Sequence, residues 1–278
     1  MFLIALAVAA AVPATPQPIV LGTSQQVHSA ALGEDRTINV VLPASYAKEP
    51  AKRYPVLYLI DGGVDQDLVH VAGVLQLDSA WGRSQEAILV GIATKDRRRE
   101  LTGPVADAEL LKKYPTSGSS AKFRSFIRNQ VKPLVERTYR TSGYDAVIGE
   151  SLAGLFILDT YLNEPDLFDA YGAISPSLWW DKEALSKTVG ARLGAKQKGR
   201  RLYLAAADEG PEMVAPVKQV VDGLKAKEKG WCFVRRDDLT HSTIYQQLSP
   251  QALQYLLPPA EAPPPEYGFK VQCTERAE

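Results

Sequence analysis

The chain has 278 residues, and its 32 basic side chains balance its 32 acidic ones to give a formal net charge of zero. This length suits one α/β domain with a well-buried core, and the balanced charge provides no global field for binding nucleic acid. The sequence contains no Walker loop, dinucleotide-binding fingerprint, Cys-x-x-Cys pair or His-x-His pair. We therefore expect no cofactor and no metal site.

The first twelve residues form an apolar run that ends in the small-residue stretch 12–14. This pattern predicts a signal peptide over residues 1–14, and hence a periplasmic or secreted protein. The run lacks the basic residues of an ordinary signal and is too short to span a bilayer. An uncleaved anchor is the alternative, but after processing we expect no stable membrane insertion.

Apolar runs predict the strands, and their alternation with helical patterns predicts the fold class. The predicted strands are 38–42, 56–60, 87–92, 146–148, 202–206 and 231–234. Residues 122–139 carry apolar side chains at helical spacing, with Ser119 or Ser120 as the cap and Pro133 as a bend. This order favours an α/β fold with a mostly parallel sheet and helices on both faces. We place this domain at residues 20–257 and a Pro-rich tail at 258–278.

The charged run Lys95–Arg99 stands out from the balanced charge of the rest of the chain. We interpret it first as a solvated loop. The alternative is a contact with an anionic substrate at the rim of a site, with Arg98 as the candidate residue.

The most specific motif is Gly149-Glu-Ser-Leu-Ala-Gly154, between the predicted strand 146–148 and an apolar helical segment that begins at Leu155. A strand, turn and helix carrying Gly-x-Ser-x-small form the nucleophile elbow of the α/β-hydrolase fold. We therefore predict Ser151 as the nucleophile. Ala153 stands where the motif usually has Gly, and we expect its single methyl group to be tolerated.

Acyl transfer at such a site also needs backbone N–H groups directed at the developing oxyanion. In this fold one N–H belongs to the residue after the nucleophile, here Leu152, and another to the loop after the third strand. The run 53–60 ends in Asp61-Gly62-Gly63. We predict Gly63 as the second donor.

Residues 175–197 interrupt the alternation of strands and helices, and we expect them to form a small cap over the site. Trp179 and Trp180 lie in this segment. They are either core anchors for the cap or an aromatic wall for an aryl or acyl group. We include both among the candidate substrate-binding residues.

The base is predicted from a short search, because the chain has three histidines. In an α/β-hydrolase the acid and then the histidine follow the nucleophile, on loops after later strands. His241 lies just beyond the predicted strand 231–234, so we predict it as the base that takes the serine proton. His28 is interpreted as a surface or strand residue. His70 is interpreted as a position on the surface of a helix, with the mouth of the site as the alternative.

The triad acid should follow the predicted strand 202–206. Asp208, Glu209 and Glu212 all lie there, and any carboxylate with the right reach could orient the imidazole. We favour Glu209. The other two are then solvated loop carboxylates or charges at the start of the next helix, and a Ser–His dyad without an acid stays open.

The two cysteines lie in different regions of the chain. Cys232 is in the last predicted strand, and Cys273 is in the Pro-rich tail. In an oxidising compartment they could form a disulfide that holds the tail. Two unrelated thiols are equally compatible with the sequence.

Several segments together resemble the putative-esterase family of α/β-hydrolases, which includes enterobactin-type siderophore esterases, S-formylglutathione hydrolases, feruloyl esterases and mycolyltransferases. The resemblance is carried by residues 27–43, 54–62, 95–102 and the elbow, and most specifically by Ser175-Pro-Ser-Leu-Trp-Trp-Asp181. It implies Ser151 as nucleophile, His241 as base, and Gly63 and Leu152 as oxyanion donors. The acid segment departs from the family, because Ala207 replaces the usual Gly.

The leading hypothesis is a serine carboxylic-ester hydrolase that works through an acyl-enzyme on a small-molecule ester. The resemblance implies a siderophore-type or aryl ester as substrate. A catalytically silent α/β-hydrolase fold that binds a ligand or partner is one alternative. Acyl transfer to an acceptor other than water, by the same residues, is another.

Overall fold

The computed structural model describes residues 16–277, so the predicted signal peptide at 1–14 lies outside the described residues. One sheet runs through the molecule in the strand order β1-β2-β4-β3-β5-β6-β7-β8-β9. The strands are β1 (Thr23–Ser29), β2 (Glu34–Val41), β3 (Tyr54–Ile60), β4 (Ile88–Ile92), β5 (Thr141–Glu150), β6 (Ala170–Ile174), β7 (Arg201–Ala207), β8 (Trp231–Arg236) and β9 (Glu275–Ala277).

Nine α-helices connect these strands within residues 16–277. They are α1 (Leu68–Ala80), α2 (Arg97–Leu101), α3 (Ala108–Lys113), α4 (Ser120–Phe126), α5 (Lys132–Thr138), α6 (Leu152–Asn163), α7 (Trp180–Arg192), α8 (Pro211–Lys227) and α9 (His241–Leu256). Short 3₁₀ turns cover Ala195–Gln197 and Pro265–Tyr267. Among the described residues, no helix is long and apolar enough to cross a membrane.

The sheet is mostly parallel, as the sequence predicted. Strands β3 to β8 pair in parallel, and β1, β2 and β9 add antiparallel edges. The central strands are buried on both faces, and all seven residues of β3 are buried. Such strands are continuous apolar runs, which is why the sequence located them.

Helices cover both faces of the sheet, which confirms the predicted layer order. On one face, α1 and α9 bury Leu75 and Leu248 against the sheet. On the other face, α4 to α8 contribute a larger cluster that includes Phe156 and Leu224. Two separate apolar clusters of this kind are expected when one twisted sheet is sandwiched between helical layers.

The predicted helix 122–139 is present but is not regular along its length. It begins at Ser120, passes through a π-helical turn at Ile127–Val131 and continues as α5. Pro133 lies in the first turn after this irregularity, and proline cannot donate the backbone hydrogen bond that a regular helix needs. Ser119 occupies the N-cap position without a side-chain cap bond.

The prediction of a small cap at residues 175–197 is wrong. β6 precedes this segment and pairs in parallel with β7, so α7 is the crossover helix between two neighbouring strands, with positive φ at Asp181, Lys182 and Glu183 in its first turn. α7 packs against α8 and α6 instead of forming a separate layer. The sequence missed β6 because Ala170–Ile174 is short and contains Gly172.

The charged run Lys95–Arg99 is a loop only at Lys95 and Asp96, because α2 begins at Arg97, at the carboxyl edge of the sheet. Lys95 and Arg98 are exposed, and the other three residues are half-buried. Glu100 is fully buried and pairs with the equally buried Arg36 of β2, with Nη2 and Oε2 2.5 Å apart. The Glu100 carboxylate also accepts the N–H groups of Lys95 and Asp96. This buried charge pair connects α2 to β2.

The C-terminal tail is fastened to the domain by a disulfide between Cys232 and Cys273, which decides between the two possibilities that the sequence left open. Next to it, β9 pairs antiparallel with β8. A disulfide that closes a loop of 41 residues restricts the unfolded chain. The tail therefore folds back onto β8 and supplies β9 as the edge strand of the sheet.

Candidate active site

Ser151 lies at a strained turn between β5 and α6. Its backbone has φ 61° and ψ −119°, a left-handed region that non-glycine residues rarely occupy. Asp61 and Ser175, which follow β3 and β6, also have positive φ, at 61° and 45°. All three residues lie at the carboxyl edge of the parallel strands, where ligand sites of α/β sheets form. Strained backbone at such an edge is typical of functional sites. The other described non-glycine residues with positive φ are Asp181, Lys182 and Glu183, in the first turn of α7.

The departure from the usual elbow motif has a simple steric explanation. A Cβ added to Gly149 would stand 2.7 Å from the Cβ of Ala153, so the missing side chain at Gly149 leaves room for the Ala153 methyl group. A Cβ added to Gly154 would stand 2.9 Å from the Ile174 carbonyl oxygen. The two glycines thus allow the close approach of helix and strand that the turn requires.

His241 is the first residue of α9, just beyond β8, and its ring reaches Ser151. His241 Nε2 lies 3.1 Å from Ser151 Oγ, and His241 Nδ1 lies 3.2 Å from Glu209 Oε1. A proton on Nδ1 would be donated to the Glu209 carboxylate and would leave Nε2 free to accept from the serine hydroxyl. The three side chains form one continuous line of hydrogen bonds.

The three candidate acids have different positions after β7. Glu209 faces His241, and only 11% of its side chain is exposed. Asp208 accepts the Gly210 N–H within its own loop, and Glu212 lies in the first turn of α8. Of the three carboxylates, Glu209 is the one within hydrogen-bonding distance of the imidazole.

Two serines that the sequence analysis did not select belong to the same cluster. Ser175 Oγ lies 3.2 Å from His241 Nδ1, and Ser177 Oγ lies 3.2 Å from Ser151 Oγ. The backbone also connects them, since the Ser177 N–H donates to the Ser151 carbonyl at 3.1 Å. The segment 175–181 carried the family resemblance, and that was the available signal for these two serines.

The two other histidines lie outside this cluster. His28 is an exposed residue of β1, and its Nδ1 lies 2.9 Å from Asp35. His70 is on α1, where its ring contacts Tyr245 and its Nε2 lies 3.0 Å from Ser249 Oγ.

A cavity of about 340 Å³ opens beside Ser151 and His241. Its other lining residues are Asp61, Gln66, Asp67, Arg97 and Glu150. The Arg97 Nε donates to Asp61 Oδ2 at 2.8 Å. The cavity thus combines a hydroxyl, an imidazole, one guanidinium and three carboxylates around a small volume.

Burial and neighbouring charge shift several pKa values in this cavity. Burial raises the pKa of Glu150 to about 7 and that of Asp67 to about 6, the nearby Asp61 carboxylate adding to the second shift. The hydrogen bond with Glu209 raises the pKa of His241 above its usual value of 6.5, and the charge of Glu150 acts in the same direction. A histidine flanked by carboxylates is a stronger base than a free imidazole.

The two predicted oxyanion donors differ in their surroundings. Leu152 is the first residue of α6, and the N–H groups of a first helical turn have no partner within the helix. The Gly63 N–H donates to Gln66 Oε1 at 2.9 Å. The Leu152 N–H therefore lies at a helix N-terminus, whereas the Gly63 N–H is hydrogen-bonded to a side chain of its own loop.

The predicted substrate contacts lie together, but not as the sequence suggested. Arg98 places its guanidinium 4.3 Å from the ring centre of Tyr114, which stacks on Trp180. Trp180 is buried in the core, whereas 45% of Trp179 is exposed. The core-anchor interpretation therefore applies to Trp180, and the arginine that lines the cavity is Arg97. Neighbouring arginines cannot be distinguished from sequence alone.

Within residues 16–277, no group of three or more His, Cys, Asp or Glu side chains has an arrangement that could hold a metal ion. A serine hydroxyl can attack an acyl group when it is hydrogen-bonded to an imidazole that is in turn hydrogen-bonded to a carboxylate.

Residues 29–218 match the family model described as "Putative esterase". The chain belongs to this esterase family. The match covers the elbow, the Lys95–Leu101 turn and the Glu209 loop, and it ends before His241. The predicted family is thereby confirmed.

Two curated relatives of this chain are named as esterases. The chain is 31% identical to the ferri-bacillibactin esterase BesA of Bacillus subtilis over 173 residues, which are 55% of this chain and 58% of the relative. It is 28% identical to the siderophore triacetylfusarinine C esterase of Aspergillus fumigatus over 186 residues, 60% of each protein. The matched region thus spans less than two thirds of either relative.

Solved structures share the fold of this chain. An IroE-like serine hydrolase from Shewanella oneidensis is 27% identical, with a TM-score of 0.71, over 84% of this chain and 77% of that one. The BES protein from Bacillus cereus reaches a TM-score of 0.75 at 20% identity, over 90% of this chain and 99% of that one. The second likeness establishes the fold alone, and both confirm the predicted α/β-hydrolase class.

Proposed function

We propose that this esterase-family protein is a serine carboxylic-ester hydrolase that works through an acyl-enzyme. The observation that carries the proposal is the hydrogen-bonded line from Ser151 through His241 to Glu209, at 3.1 Å and 3.2 Å. These distances lie within the range that nucleophile–base and base–acid pairs require. The strained backbone of Ser151 supports the same assignment, because it presents the hydroxyl at the apex of the elbow.

The reaction proceeds in two halves. Ser151 Oγ bonds to the ester carbonyl carbon while His241 Nε2 takes the serine proton and then donates it to the departing alcohol oxygen. In the second half, water attacks the acyl carbon, gives its proton to His241 and releases the acid, and the proton returns to Ser151. Glu209 stabilises the protonated imidazole in each half, and the Leu152 N–H and the Gly63 N–H receive the oxyanion.

We propose that the substrate is a siderophore-type or bulky aryl ester. The names of the two curated relatives support this class. A cavity of about 340 Å³ holds the ester and its nearest atoms, so the rest of a large substrate would lie on the rim. Trp179 is exposed and lies two residues from Ser177 in the sequence, and its indole face is the candidate contact for an aryl group. Arg97, which lines the cavity, is a better candidate than Arg98 for contact with a negative group.

We also propose a periplasmic or secreted location for this protein. The disulfide between Cys232 and Cys273 supports this, because such bonds persist in oxidising compartments. Residues 1–14 retain the pattern of an export signal. Cell fractionation with an antibody against the C-terminal tail tests the location, and a purely cytoplasmic signal would contradict it.

The proposed function is tested by covalent labelling and by substrate preference. A fluorophosphonate probe should label the purified protein on Ser151, because attack at phosphorus uses the same activated hydroxyl. In a panel of a catecholate trilactone, a feruloyl ester, S-formylglutathione and short acyl esters, we expect the highest kcat/KM for the trilactone. If the probe labels the protein but the protein prefers short acyl esters, and if Trp179→Ala leaves the activity unchanged, the proposed substrate class is wrong. The proposal of esterase activity would still stand.

The pH dependence of hydrolysis should depend on the charge of Glu150, which raises the pKa of His241. Only neutral His241 accepts the serine proton, so activity is lost as pH falls through its pKa, which lies above the usual 6.5. Glu150→Gln removes a negative charge that favours the protonated imidazole and should move the acid limb of kcat/KM to lower pH. Glu212→Gln, in the first turn of α8, is the matched control and should leave the limb in place. An acid limb that does not move in Glu150→Gln would exclude this coupling.

A further inference from the structure

The loop between β3 and α1 is closed by a reciprocal pair of hydrogen bonds. The Gly63 N–H donates to the side-chain Oε1 of Gln66 at 2.9 Å, and the Gln66 N–H donates to the Gly63 carbonyl at 3.0 Å. A Cβ added to Gly63 would stand 2.8 Å from the same Oε1. The Gln66 carboxamide therefore lies directly against the Gly63 peptide.

Thr94, just beyond β4, fixes the orientation of this carboxamide. Gln66 Nε2 donates to both the Thr94 carbonyl and the Thr94 Oγ1, each at 3.1 Å. Thr94 Oγ1 in turn donates to the buried Asp61 carboxylate. Because both acceptors of Thr94 require an NH₂ group, the oxygen of Gln66 must be the atom that faces Gly63.

This arrangement bears on the oxyanion hole of the proposed reaction. An oxyanion donor must point at the position where the negative oxygen develops, about 2.7–3.1 Å away. The Gly63 N–H is already directed at an acceptor within this distance. Gln66 also lines the cavity that contains Ser151 and His241, so its side chain lies beside the reaction site. Gly63 cannot bond a substrate oxygen fully while Gln66 holds it.

We propose that Gln66 is a positioning residue for acylation, whose side-chain oxygen holds the Gly63 N–H until the ester carbonyl oxygen takes its place. This inference rests on the proposed function, and it adds a step that precedes nucleophilic attack. Gln66 keeps the N–H satisfied and the loop ordered when no substrate is bound. Substrate entry must break this hydrogen bond before the Gly63 N–H can bond the carbonyl oxygen, so the strength of the bond opposes acylation.

Gln66→Met tests the exchange, since methionine has similar length and lacks the strong acceptor. With Gly63 no longer occupied, we expect kcat/KM for a short p-nitrophenyl ester and the rate of fluorophosphonate labelling to rise about fivefold, the factor that one ordinary hydrogen bond supplies. Gln76→Met, on the exposed side of α1, is the control for the same replacement and should leave both rates unchanged. A fall or no change in Gln66→Met would overturn the proposal and leave Gln66 as a loop support.

NMR chemical shifts distinguish the proposed exchange from a purely structural role of Gln66. The Gly63 amide proton should shift upfield in unliganded Gln66→Met, and in the wild-type phosphonate adduct the Gln66 side-chain amide protons should shift when Oε1 is displaced. If Gln66→Met fails to fold, Gln66→Ala and the wild-type adduct supply the same readout. Unchanged Gln66 resonances in the adduct would overturn the proposal. A wild-type protein that the probe does not label would instead overturn the proposed function.

Discussion

Ser151→Ala should lower kcat for ester hydrolysis by about 10⁶-fold, the scale seen when a serine nucleophile is removed from a related triad. Ser151 Oγ is the atom that bonds to the acyl carbon. Among the described residues, it is the side-chain atom within hydrogen-bonding distance of His241 Nε2. Alanine fits the same backbone, so the thermal unfolding midpoint should change by a few degrees at most. Steady-state kinetics with a p-nitrophenyl ester and a thermal melt measure both quantities.

Ser177 provides the critical comparison for this variant, because its hydroxyl lies 3.2 Å from Ser151 Oγ. If Ser177 were the attacking group, Ser177→Ala would show the large loss and Ser151→Ala would not. Mass spectrometry of the fluorophosphonate adduct identifies the modified serine directly. Full activity in Ser151→Ala, or a label on another serine, would contradict the assignment. Ser79→Ala, an exposed position on α1, controls for the change of residue type.

Glu209→Gln should lower kcat by about 10⁴-fold, the loss found where a triad acid has been isolated. The glutamine amide keeps the shape of the side chain, but it can donate to His241 Nδ1 and so favour the wrong tautomer. His241 Nε2 would then carry the proton and could not accept one from Ser151. The loss of the carboxylate also removes the stabilisation of the protonated imidazole, so the effect should appear in kcat more than in KM.

The neighbouring carboxylates make this prediction specific. Asp208→Asn and Glu212→Gln change the same charge within three residues of Glu209, yet neither side chain is hydrogen-bonded to His241. Both should retain activity within about tenfold of wild type, well short of the loss expected for a triad acid. If Glu209→Gln, Asp208→Asn and Glu212→Gln each lower activity less than about tenfold, the site works as a Ser–His dyad, and the contact between Glu209 and His241 is structural.

The sequence predicted the framework of the fold because its signals are local. The run Val56–Ile60 is continuously apolar, as a strand buried on both faces must be, and the elbow around Ser151 requires small residues at defined positions. β6 was missed for the opposite reason. Gly172 interrupts its apolar pattern, and the space that a side chain would need is occupied by Leu256, which is distant in the sequence.

The candidate site was predictable only in part. Ser151 and His241 follow from motif and order along the chain, since few residues compete for either role. Glu209 could not be separated from Asp208 and Glu212, because three carboxylates on one loop differ only in direction. That direction depends on where α9 begins at His241 relative to the end of β7.

Sequence alone thus determined the class of protein and the nucleophile candidate, because both depend on residues that are neighbours in the chain. The order of the partners follows from their positions along the chain. Tertiary structure decided what depends on direction and burial. In the folded protein Arg97 lines the cavity, whereas Arg98 contacts the ring of Tyr114. Trp180 is buried and Trp179 is exposed. Cys232 and Cys273 form a disulfide. Tertiary structure also engaged the Gly63 N–H with Gln66, a contact between a backbone group and a side chain that no residue pattern records.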